Sequence, residues 1–534
     1  MGGGLAGMIA ALEAAGSSQR LLLVCKSRVG NSGATLMAGS NFAAVLPDAE
    51  AQGDRVALHV EDTISAGAHI NDPALVQILA QKAPEDLLYL EKLGVEFIKK
   101  EGRFDLRKPP GHRNLRTVFT KNPGFPLTIR GKSFTAPLRR IVNQRKILLL
   151  EGVSIVRIIL EEGRVAGALG IRRKDGEVVG IECKTMIIAS GGAGFLYEIN
   201  TNPSDLTGDS YSLALEAGCS LRDMEFVQFY PCMYLGSPRV PIYSPILSDG
   251  AVLRNKDGER FLARYEPERM EQATRDAVSR AMFLEIQAGR GVSGGVYLDL
   301  TAIPDDLLSF RFPDLIELFK KQGIDLKKQW IRVAPSAHFF MGGFVIDERC
   351  QTSIPGLFAA GEATGGIHGA NRLSGNGLSD PLVFGRIAGR QAVEYARKVE
   401  KVSGVGKKFE PPVGLAGEKI SAERIEEIRR HVKHQMWMNV GIIRNGQGLQ
   451  QALQEFEKWQ EFMEERQAER KEKMSSYFEV RSMLISAQAV ARSALFREES
   501  RGAHFREDFP ESKPEWAKSV YARMEDGKIH ASSA

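Results

Sequence analysis

The chain has 534 residues, of which 43% are hydrophobic and 26% are charged, and its formal net charge at pH 7 is +5. This length exceeds what one hydrophobic core supports, so we expect roughly three or four domains. The small net charge and the lack of basic runs with interleaved aromatic residues exclude nucleic acid as a partner. No apolar run approaches the roughly 20 residues of a membrane span, so any membrane contact would be indirect, through another subunit.

The cysteines are scattered, odd in number and never arranged as a CxxC pair: Cys25, Cys183, Cys219, Cys232 and Cys350. This usage favours a reducing compartment and excludes an iron–sulfur cluster held by this chain alone. The sequence therefore predicts a cytoplasmic protein without a metal site, attached at most peripherally to the inner face of a membrane through its partners.

The first glycine-rich turn, GGGLAG, directly follows Met1. A glycine turn at a helix start offers backbone amides and a positive helix end to a pyrophosphate, which suits FAD as well as NAD. A buried strand should lead into such a turn, so we expect roughly five to ten further residues of apolar strand to precede Met1. Met8 to Ala15 favour a helix, and Leu21 to Cys25 favour a buried parallel strand.

Two later apolar runs, TMIIAS and GLFAAG, also lead into glycine turns. We therefore predict a discontinuous cofactor domain over residues 1–221 and 335–400, with a segment of different, turn-rich character over residues 222–334 between its parts. A glycine- and proline-rich loop, Gly404 to Gly417, then precedes two segments with helical spacing and charged outer faces, Glu423 to Trp437 and Leu449 to Met474. They predict a helical domain over residues 418–534.

The most informative run is HGANRLSGNGLSDPLVFG, from His368 to Gly385. Its glycines and asparagines permit close backbone approach to a flat or anionic ligand, and Arg372 lies in its middle. Just upstream, the strand-like GLFAAG leads to an acidic residue, Glu362. A strand delivers its carboxyl end to a cofactor in this way.

This run closely resembles the signature of the flavoprotein subunits of succinate dehydrogenase and fumarate reductase, and of L-aspartate oxidase. The resemblance extends over nearly the whole chain, through GGGLAG, ASGGAG, TGD, RD, HFFMGG and REESRGAHFREDFP in that order. It implies an α/β fold: a Rossmann-like FAD-binding domain, an inserted α+β capping domain that closes over the flavin, and a C-terminal helical bundle.

The resemblance also implies an FAD site. The residues expected to contact FAD are Gly2, Gly3, Gly4, Leu5, Ala6, Gly7, Cys25, Lys26, Ser32, Gly33, Ala34, Gly39, Ser40, Asp209, Glu362, Gly377 and Leu378. Cys25 stands where many dinucleotide folds carry an acid for the ribose hydroxyls.

Some members of the family attach FAD covalently through a histidine, and Gly33 occupies that position here. Neither this stretch nor its neighbours contain histidine, so we predict dissociable, non-covalent FAD. For Asp209 an alternative role is open, because aspartate also serves as a helix N-cap, here before SYSLALEAG.

Reduction of an activated alkene requires a hydride from the flavin, positive charge on the substrate carboxylates and a proton donor. By resemblance, Arg372 and His338 bind the substrate, and Arg275 passes the proton. An arginine clamps carboxylates well because its planar fork donates parallel hydrogen bonds. The cautious alternative role for Arg275 is an electrostatic clamp on the developing charge.

The sequence departs from the family where the proton is resupplied. Tyr230 and Cys232 stand in place of the histidine and threonine of H-P-T. In the motif T-E-x-x-R-G-E-G, Tyr243 and Ser244 replace the Thr-Glu pair and Leu247 replaces the arginine. We expect Tyr230 and Ser244 to contact the substrate from these positions.

Two hypotheses follow from the departures. The substrate is larger or less charged than fumarate, with Tyr230, Tyr243 and Cys232 shaping a more apolar pocket. Alternatively, Arg239 or Asp249 replaces the missing relay from a different place.

Three functions are open at this stage. The leading one is an FAD-dependent oxidoreductase acting on a small carboxylate with a C–C or C=C bond, whose expected partner is an iron–sulfur or other electron-transfer subunit. An L-aspartate oxidase is the second, and an electron-transfer flavoprotein subunit with a decayed pocket is the third. For REESRGAHFREDFP, ion pairing between the helical bundle and the flavin domain is a better explanation than catalysis.

Overall fold

The computed structural model describes residues 1–17, 19–109, 111–243, 245–400 and 418–533, and it describes only the backbone of residue 245. The expected glycine- and proline-rich loop therefore lies outside the described residues, and so does Ser244. Within the described residues, no helix is both long enough and apolar enough to cross a membrane.

The first part of the chain alternates helices and short strands. Its elements are α1 (Leu5–Ala14), β1 (Leu22–Cys25), α2 (Ala34–Met37), β2 (Asn41–Ala43), α3 (Pro47–Glu50), α4 (Val56–Ala66), α5 (Pro73–Lys92), β3 (Lys99–Lys100), β4 (Arg103–Phe104), β5 (Thr117–Phe119), α6 (Lys132–Gln144), β6 (Leu148–Glu151), β7 (Val153–Glu161), β8 (Arg164–Arg172), β9 (Val178–Glu182), β10 (Met186–Ile188), α7 (Asp209–Glu216) and β11 (Leu221–Arg222).

The middle part is a mixed segment. Its elements are β12 (Val227–Tyr234), β13 (Val240–Pro241), α8 (Pro245–Ser248), β14 (Val252–Arg254), α9 (Leu262–Tyr265), α10 (Arg275–Gln287), β15 (Val296–Asp299), α11 (Asp305–Arg311), α12 (Pro313–Lys321) and β16 (Ile331–Phe340).

The last part returns to the cofactor fold and then becomes mainly helical. Its elements are β17 (Gly343–Phe344), β18 (Leu357–Ala359), α13 (Asn376–Lys398), β19 (Glu418–Ile420), α14 (Ala422–Met438), α15 (Gly446–Glu464), β20 (Arg466–Ala468), α16 (Met474–Phe496), β21 (Val520–Glu525) and β22 (Lys528–Ser533).

Two parallel strand pairs form the frame of the cofactor fold: β1 with β6, and β10 with β18. The chain start joins them, because Gly2 donates to the carbonyl of Val24 and Ala189 donates to the carbonyl of Met1. The strands expected at LLLVC, TMIIAS and GLFAAG are thus present, and α1 covers most of the helix expected at Met8 to Ala15.

The capping domain is built on a five-stranded antiparallel sheet, in the order β13-β12-β16-β15-β14. Its apolar core is separate from the large core shared by the cofactor fold and the helical bundle, and it includes Leu127 from the cofactor fold. The separate core supports an inserted domain. Its exact bounds stay a prediction, since β16 continues past residue 334 into the cofactor fold.

The C-terminal part contains the expected helices, with two differences. α15 ends at Glu464, short of the predicted helical run, because Arg466 to Ala468 form a parallel pair with β19 instead. The final residues form the hairpin β21–β22, and this hairpin pairs with β11 of the cofactor fold. The bundle is therefore joined to the cofactor fold by a shared sheet as well as by packing.

Candidate active site

One continuous cavity runs from the first glycine turn to the capping domain. Nearly all the residues predicted to bind cofactor or substrate line it, namely Gly2, Gly3, Gly4, Leu5, Ala6, Cys25, Lys26, Ser32, Gly33, Ala34, Gly39, Asp209, Tyr230, Arg275, His338, Glu362, Arg372, Gly377 and Leu378. Side chains from both ends of the sequence thus meet in one place.

Two predicted cofactor residues do not reach the cavity wall. Gly7 packs against the glycine turn, where a Cβ atom would lie 1.9 Å from the carbonyl oxygen of Gly2. Ser40 is fully buried, and its hydroxyl bonds to the carbonyl of Arg130 and to Ser133. Both residues shape the backbone behind the cavity. Ser244 lies outside the described residues.

The glycine turn allows the backbone to approach closely at the start of α1. Gly2 has a φ of 112°, and a Cβ atom there would lie 2.1 Å from the carbonyl oxygen of Ala189. At Gly3 a Cβ atom would lie 2.7 Å from the sulfur of Cys25. These positions admit only glycine, and they leave the helix N-terminus facing the cavity, where it suits a pyrophosphate.

Lys26 and Asp209 form an ion pair in the wall of this cavity, at 2.8 Å. Although burial acts to lower the pKa of Lys26, Asp209 and Glu479 raise it above its ordinary value. Asp209 is the first residue of α7, and its side chain does not cap the helix, which begins after Gly208. The capping role considered for Asp209 is therefore wrong.

Two buried oxygen atoms in the same wall, Ser190 Oγ and Asp205 Oδ1, have no hydrogen-bond partner among the described residues. Unpaired buried oxygens are costly, and ligand hydroxyls would satisfy them. Together with the glycine turn and the helix N-terminus, they fit FAD. Sequence reasoning missed both residues, although Ser190 lies inside the recognised motif ASGGAG.

Glu362 lies in the short turn that follows β18, and its carboxylate accepts a hydrogen bond from the amide of Phe340 at 3.1 Å. Burial raises the pKa of Glu362 to about 7. The carboxyl group can therefore be present in either protonation state near neutral pH, which is useful beside a ligand that carries its own polar groups.

The signature run (His368 to Gly385) places Arg372 just before the start of α13. Gly375 has a φ of 88°, and a Cβ atom there would meet Ala43 at 2.8 Å. At Gly377 a Cβ atom would lie 2.6 Å from Nη1 of Arg372. The loop's glycines thus make room for the guanidinium group, which folds back over the first turn of the helix.

Arg275 and Arg372 converge on a single amide at the substrate end of the cavity. Gln228 Oε1 accepts from Nη2 of Arg372 at 2.9 Å and from Nη1 of Arg275 at 3.5 Å. The two guanidinium groups also lie over aromatic rings, Arg372 over Phe339 and Arg275 over Tyr230. Gln228 lies two residues before Tyr230 in the sequence but was not recognised as a site residue.

The electrostatics of this end reflect two buried positive charges. Burial and the neighbouring Arg275 lower the pKa of Arg372 to about 9, and burial lowers the pKa of Arg275. With a pKa of about 9, Arg372 is still protonated at neutral pH. Within the described residues, Arg372 forms no salt bridge, and its Nε has no hydrogen-bond partner.

His338 faces the same space, and its Nδ1 lies 2.8 Å from the hydroxyl oxygen of Thr201. Burial, Arg372 and Arg275 hold its pKa well below the ordinary value of 6.5. The imidazole is therefore neutral at physiological pH, so it can act on a ligand through a hydrogen bond but not through a charge.

Tyr230 contacts the site with its ring rather than with its hydroxyl group. The ring lies 4.9 Å from that of His338, while the hydroxyl donates to the carbonyl of Ile242 at 2.9 Å. Cys232 is fully buried and does not line the cavity. The apolar character expected of this pocket therefore comes from the tyrosine and not from the cysteine.

Tyr243 lines the cavity together with an arginine that the sequence did not reveal. Arg130 donates to the hydroxyl of Tyr243 at 2.8 Å and to Asp314 at 3.0 Å. Since Asp314 follows Arg130 by 184 positions, no local pattern could have predicted the pair.

The two residues suggested as replacements for the proton relay lie away from the site. Asp249 pairs with Arg311, and neither Asp249 nor the exposed Arg239 lines the cavity.

Comparison with known proteins agrees with this architecture. Residues 1–378 match the model of an FAD binding domain, and residues 429–532 match the C-terminal model of the fumarate reductase flavoprotein. The chain is 38% identical to a subunit of the fumarate reductase (CoM/CoB) of Methanothermobacter marburgensis over 533 residues, which cover 97% of this chain and 95% of that one.

It is also 34% identical to an L-aspartate oxidase of Caulobacter vibrioides, with 96% of this chain and 93% of that one covered. Among solved structures, it superimposes on the FrdA chain of a quinol fumarate reductase variant from Escherichia coli with a TM-score of 0.90, at 30% identity and over 100% of this chain and 95% of that one. The chain therefore belongs to the family of succinate dehydrogenase and fumarate reductase flavoproteins and L-aspartate oxidases, and it is an FAD-dependent oxidoreductase that acts on CH–CH groups.

Proposed function

We propose that this protein interconverts the C=C and C–C forms of a small carboxylate, and that it exchanges the electrons with a separate protein partner. The observation that carries the proposal is the convergence of Arg275 and Arg372 on Gln228 inside the FAD cavity. Two like charges in a buried wall repel each other, and a substrate carboxylate between them would relieve that repulsion.

Each active-site residue has a separate role in the proposed reaction. Arg372 binds a substrate carboxylate through its planar fork, and neutral His338 donates or accepts one further hydrogen bond. Arg275 stabilises the charge that develops on the substrate and passes a proton to the carbon. FAD, when bound, supplies or accepts the hydride. Tyr230 and the capping domain exclude water from the reacting carbons.

The expected cofactor contacts would hold FAD without a covalent bond. The glycine turn and the N-terminus of α1 would bind the pyrophosphate, and Lys26, Asp209, Ser190 and Asp205 would offer polar groups to the rest of FAD. Gly33, at the position of the histidine that attaches flavin in some relatives, has no nucleophilic atom. Acid precipitation should release all the flavin into the supernatant, and flavin that stays with the pellet would contradict non-covalent binding.

The pocket favours a substrate other than fumarate. Tyr243 and Arg130 form one wall, and Asp249 and Arg239 lie elsewhere, so the two relay replacements suggested by the sequence are not supported. We therefore expect an enoate whose carboxylate lies between Arg275 and Arg372 and whose remaining part contacts Tyr230 and Tyr243. Fumarate turnover at rates typical of an enzyme would contradict this choice of substrate.

The separate electron partner rests on the relatives' names and on the cysteine pattern. One relative is named as a subunit of a fumarate reductase, and a structural neighbour belongs to a quinol fumarate reductase. The scattered cysteines of this chain do not provide a second redox centre. An iron–sulfur protein that co-purifies with the natively expressed chain is the partner to look for.

An L-aspartate oxidase is the second candidate, because the chain resembles such enzymes over nearly its full length. Peroxide formation with L-aspartate would identify it. The electron-transfer subunit with a decayed pocket is less favoured. Two neighbouring arginines in the cavity wall repel each other, and a subunit that binds no substrate would have no need of them.

The experiment is an anaerobic assay of the purified holoprotein. The flavin is reduced with a low-potential dye, and its reoxidation is followed after mixing with fumarate and a panel of substituted enoates and dicarboxylates. We expect rapid reoxidation by at least one carboxylate-bearing alkene. Failure of every member, with an intact and fully reduced flavin, would overturn the proposed function.

A further inference from the structure

A second cavity, of about 640 Å³, adjoins the first and shares Arg275 and Arg372 with it. Its walls come from α4, from α8, from the segment before α10, from α10 itself and from the signature run. At its outer end lie Glu61 and Arg113, whose side chains are 60% and 52% exposed. This cavity therefore connects the two active-site arginines with solvent-exposed groups.

The second cavity lies beside the position at which the family carries the arginine of its proton relay. Leu247, which stands at the position of the relay arginine, lines this cavity. Leucine is shorter than arginine and carries no polar side-chain atoms. The replacement therefore leaves space in the cavity and removes a side chain that could pass a proton. A cavity of this size with several polar walls holds water, and water can carry protons.

The acidic side chains of the cavity differ in what they contact. Three of them are tied to arginines: Glu61 to Arg113, Asp62 to Arg113 and Arg116, and Glu271 to Arg260. Such pairing favours the ionised form and makes a carboxylate a poor proton donor. These three acids are therefore structural.

Asp276 is the exception. Its Oδ1 accepts a hydrogen bond from the side-chain amide of Asn371 at 2.9 Å, and Asn371 in turn accepts from the amide of Gln228. Gln228 contacts both active-site arginines. The carboxyl group is thus held by hydrogen bonds to neutral partners, and it lines the same cavity as Arg275.

The surroundings of Asp276 favour its protonated form. Burial raises the pKa of Asp276, while Arg280, Thr274 and Asn371 act in the opposite direction to a smaller extent. The other charged groups that line the cavity with it are Glu61, Asp62, Arg113, Arg269, Glu271, Arg275 and Arg372.

We propose that the second cavity is the proton inlet of this enzyme, and that Asp276 is the carboxylic acid that resupplies Arg275 through water in the cavity. This inference rests on the proposed function. In the reducing direction the alkene gains a hydride at one carbon, and Arg275 gives a proton to the other carbon. Asp276 then returns a proton to Arg275 through water, and Asp276 takes up a proton from solvent.

Asp276→Asn tests the inference, because asparagine keeps the size and can keep a hydrogen bond to Asn371 but cannot donate a carboxyl proton. With the alkene that reoxidises the wild-type flavin fastest, we expect the maximal reoxidation rate to fall roughly 100-fold, the usual scale of general acid catalysis. The substrate concentration at half-maximal rate should change little. Asp276→Glu should restore part of the rate.

Three readouts separate proton supply from mere positioning. The ionisation of Asp276 should disappear from the pH profile of Asp276→Asn. The solvent isotope effect on reoxidation should rise, since proton delivery becomes slow. An infrared titration of the protein without substrate should show a carboxyl band in the wild type that is missing from the variant.

Asp249→Asn is the matched control, because Asp249 is a carboxylate of the capping domain that pairs with Arg311 and does not line either cavity. We expect its rate to stay within roughly threefold of the wild type. A wild-type rate and pH profile in Asp276→Asn would overturn the inference, whatever the rate of Asp249→Asn, while the proposed function stands. Absence of wild-type reoxidation by every alkene would instead overturn the proposed function, and this inference with it.

Discussion

The protein buries arginines in two ways, which the C-terminal segment and the active site illustrate. Arg497 is fully buried, with Glu225 at 2.6 Å, Glu499 at 3.0 Å and two backbone carbonyls around its guanidinium group. Arg372 is also buried, yet its contacts among the described residues are an amide oxygen, a carbonyl oxygen and an aromatic ring.

The pKa values follow the same division. Glu225 and Glu499 raise the pKa of Arg497 despite its burial, whereas burial and Arg275 lower the pKa of Arg372. An arginine surrounded by carboxylates stabilises the fold, because removal of either partner leaves a buried charge uncompensated. An arginine whose direct contacts are neutral groups is available to an anion. The difference distinguishes an anchor of the fold from a ligand site.

The largest expected effect is on activity and comes from Arg372→Gln. The glutamine keeps a polar side chain but loses the charge and the planar fork, so we expect a loss of roughly 1,000-fold in kcat/KM with the best alkene, comparable to the removal of one donor to a developing anion. The free energy of unfolding should stay the same or increase. Steady-state kinetics and equilibrium denaturation of the same sample measure both.

Arg497→Met should show the opposite behaviour. Methionine leaves Glu225 and Glu499 buried without their common partner, so the free energy of unfolding should fall by about 3 to 5 kcal/mol. The kcat/KM of the fraction that remains folded should be unchanged. A stable Arg497→Met protein with poor turnover would place Arg497 in the catalytic machinery and remove the distinction.

Acid should destabilise the protein through its buried histidines, of which His59 and His112 contact the signature run. His59 bonds to Asn376 and His112 to the carbonyl of Ser374, and burial lowers their pKa values to about 3 and about 4. The unfolded chain takes up these protons below about pH 6.5, while the folded protein remains neutral at both sites. The contribution of these two histidines should therefore be complete above about pH 6.5 and be lost as the pH drops, by about 1.4 kcal/mol per pH unit for each histidine.

Denaturation between about pH 6.5 and about pH 4.5 measures this slope. His59→Gln should reduce it by about one histidine's share, since glutamine does not titrate in this range. An unchanged slope in the variant would show that His59 does not contribute. Arg497→Met should keep the part of the slope that comes from His59 and His112, because Arg497 does not act on either of them.

The smallest expected effect comes from Tyr243→Phe. This change removes the hydroxyl that accepts from Arg130 but keeps the ring and the Arg130–Asp314 pair. One lost hydrogen bond to a charged group costs about 1.5 to 3 kcal/mol at most, and less where water replaces it. We expect KM for the best alkene to change several-fold with kcat nearly constant. A large fall in kcat would instead assign Tyr243 to the proton-transfer machinery.

Much of the fold could be predicted from the sequence. The glycine turn at Gly2 to Gly7 and the strands β1, β10 and β18 follow from short local patterns. The ion-pairing role expected for REESRGAHFREDFP also agrees with the contacts of Arg497. The end of α15 could not be predicted, because the parallel pairing of β19 with β20 competes with helix formation only in the folded protein.

The site was predictable to the extent that each residue lay inside a motif. Arg275, His338 and Arg372 each do, and all three face one cavity. Arg130, and Asp276 although it lies inside the motif RD, were missed as candidates because their significance depends on partners far away in the chain, Asp314 for one and Asn371 for the other. A side chain's charge is visible in a sequence, but whether that charge is compensated is decided by the fold.

The most direct test of the difference between the two arginines is stabilisation by a ligand. Equilibrium unfolding of the holoprotein is measured with increasing concentrations of the best-binding carboxylate from the panel. We predict that wild type gains about 2.7 kcal/mol at about 100 times Kd, that Arg497→Met starts lower and gains the same amount, and that Arg372→Gln gains almost nothing. Equal stabilisation of Arg372→Gln and wild type would contradict the assignment of Arg372 to a carboxylate.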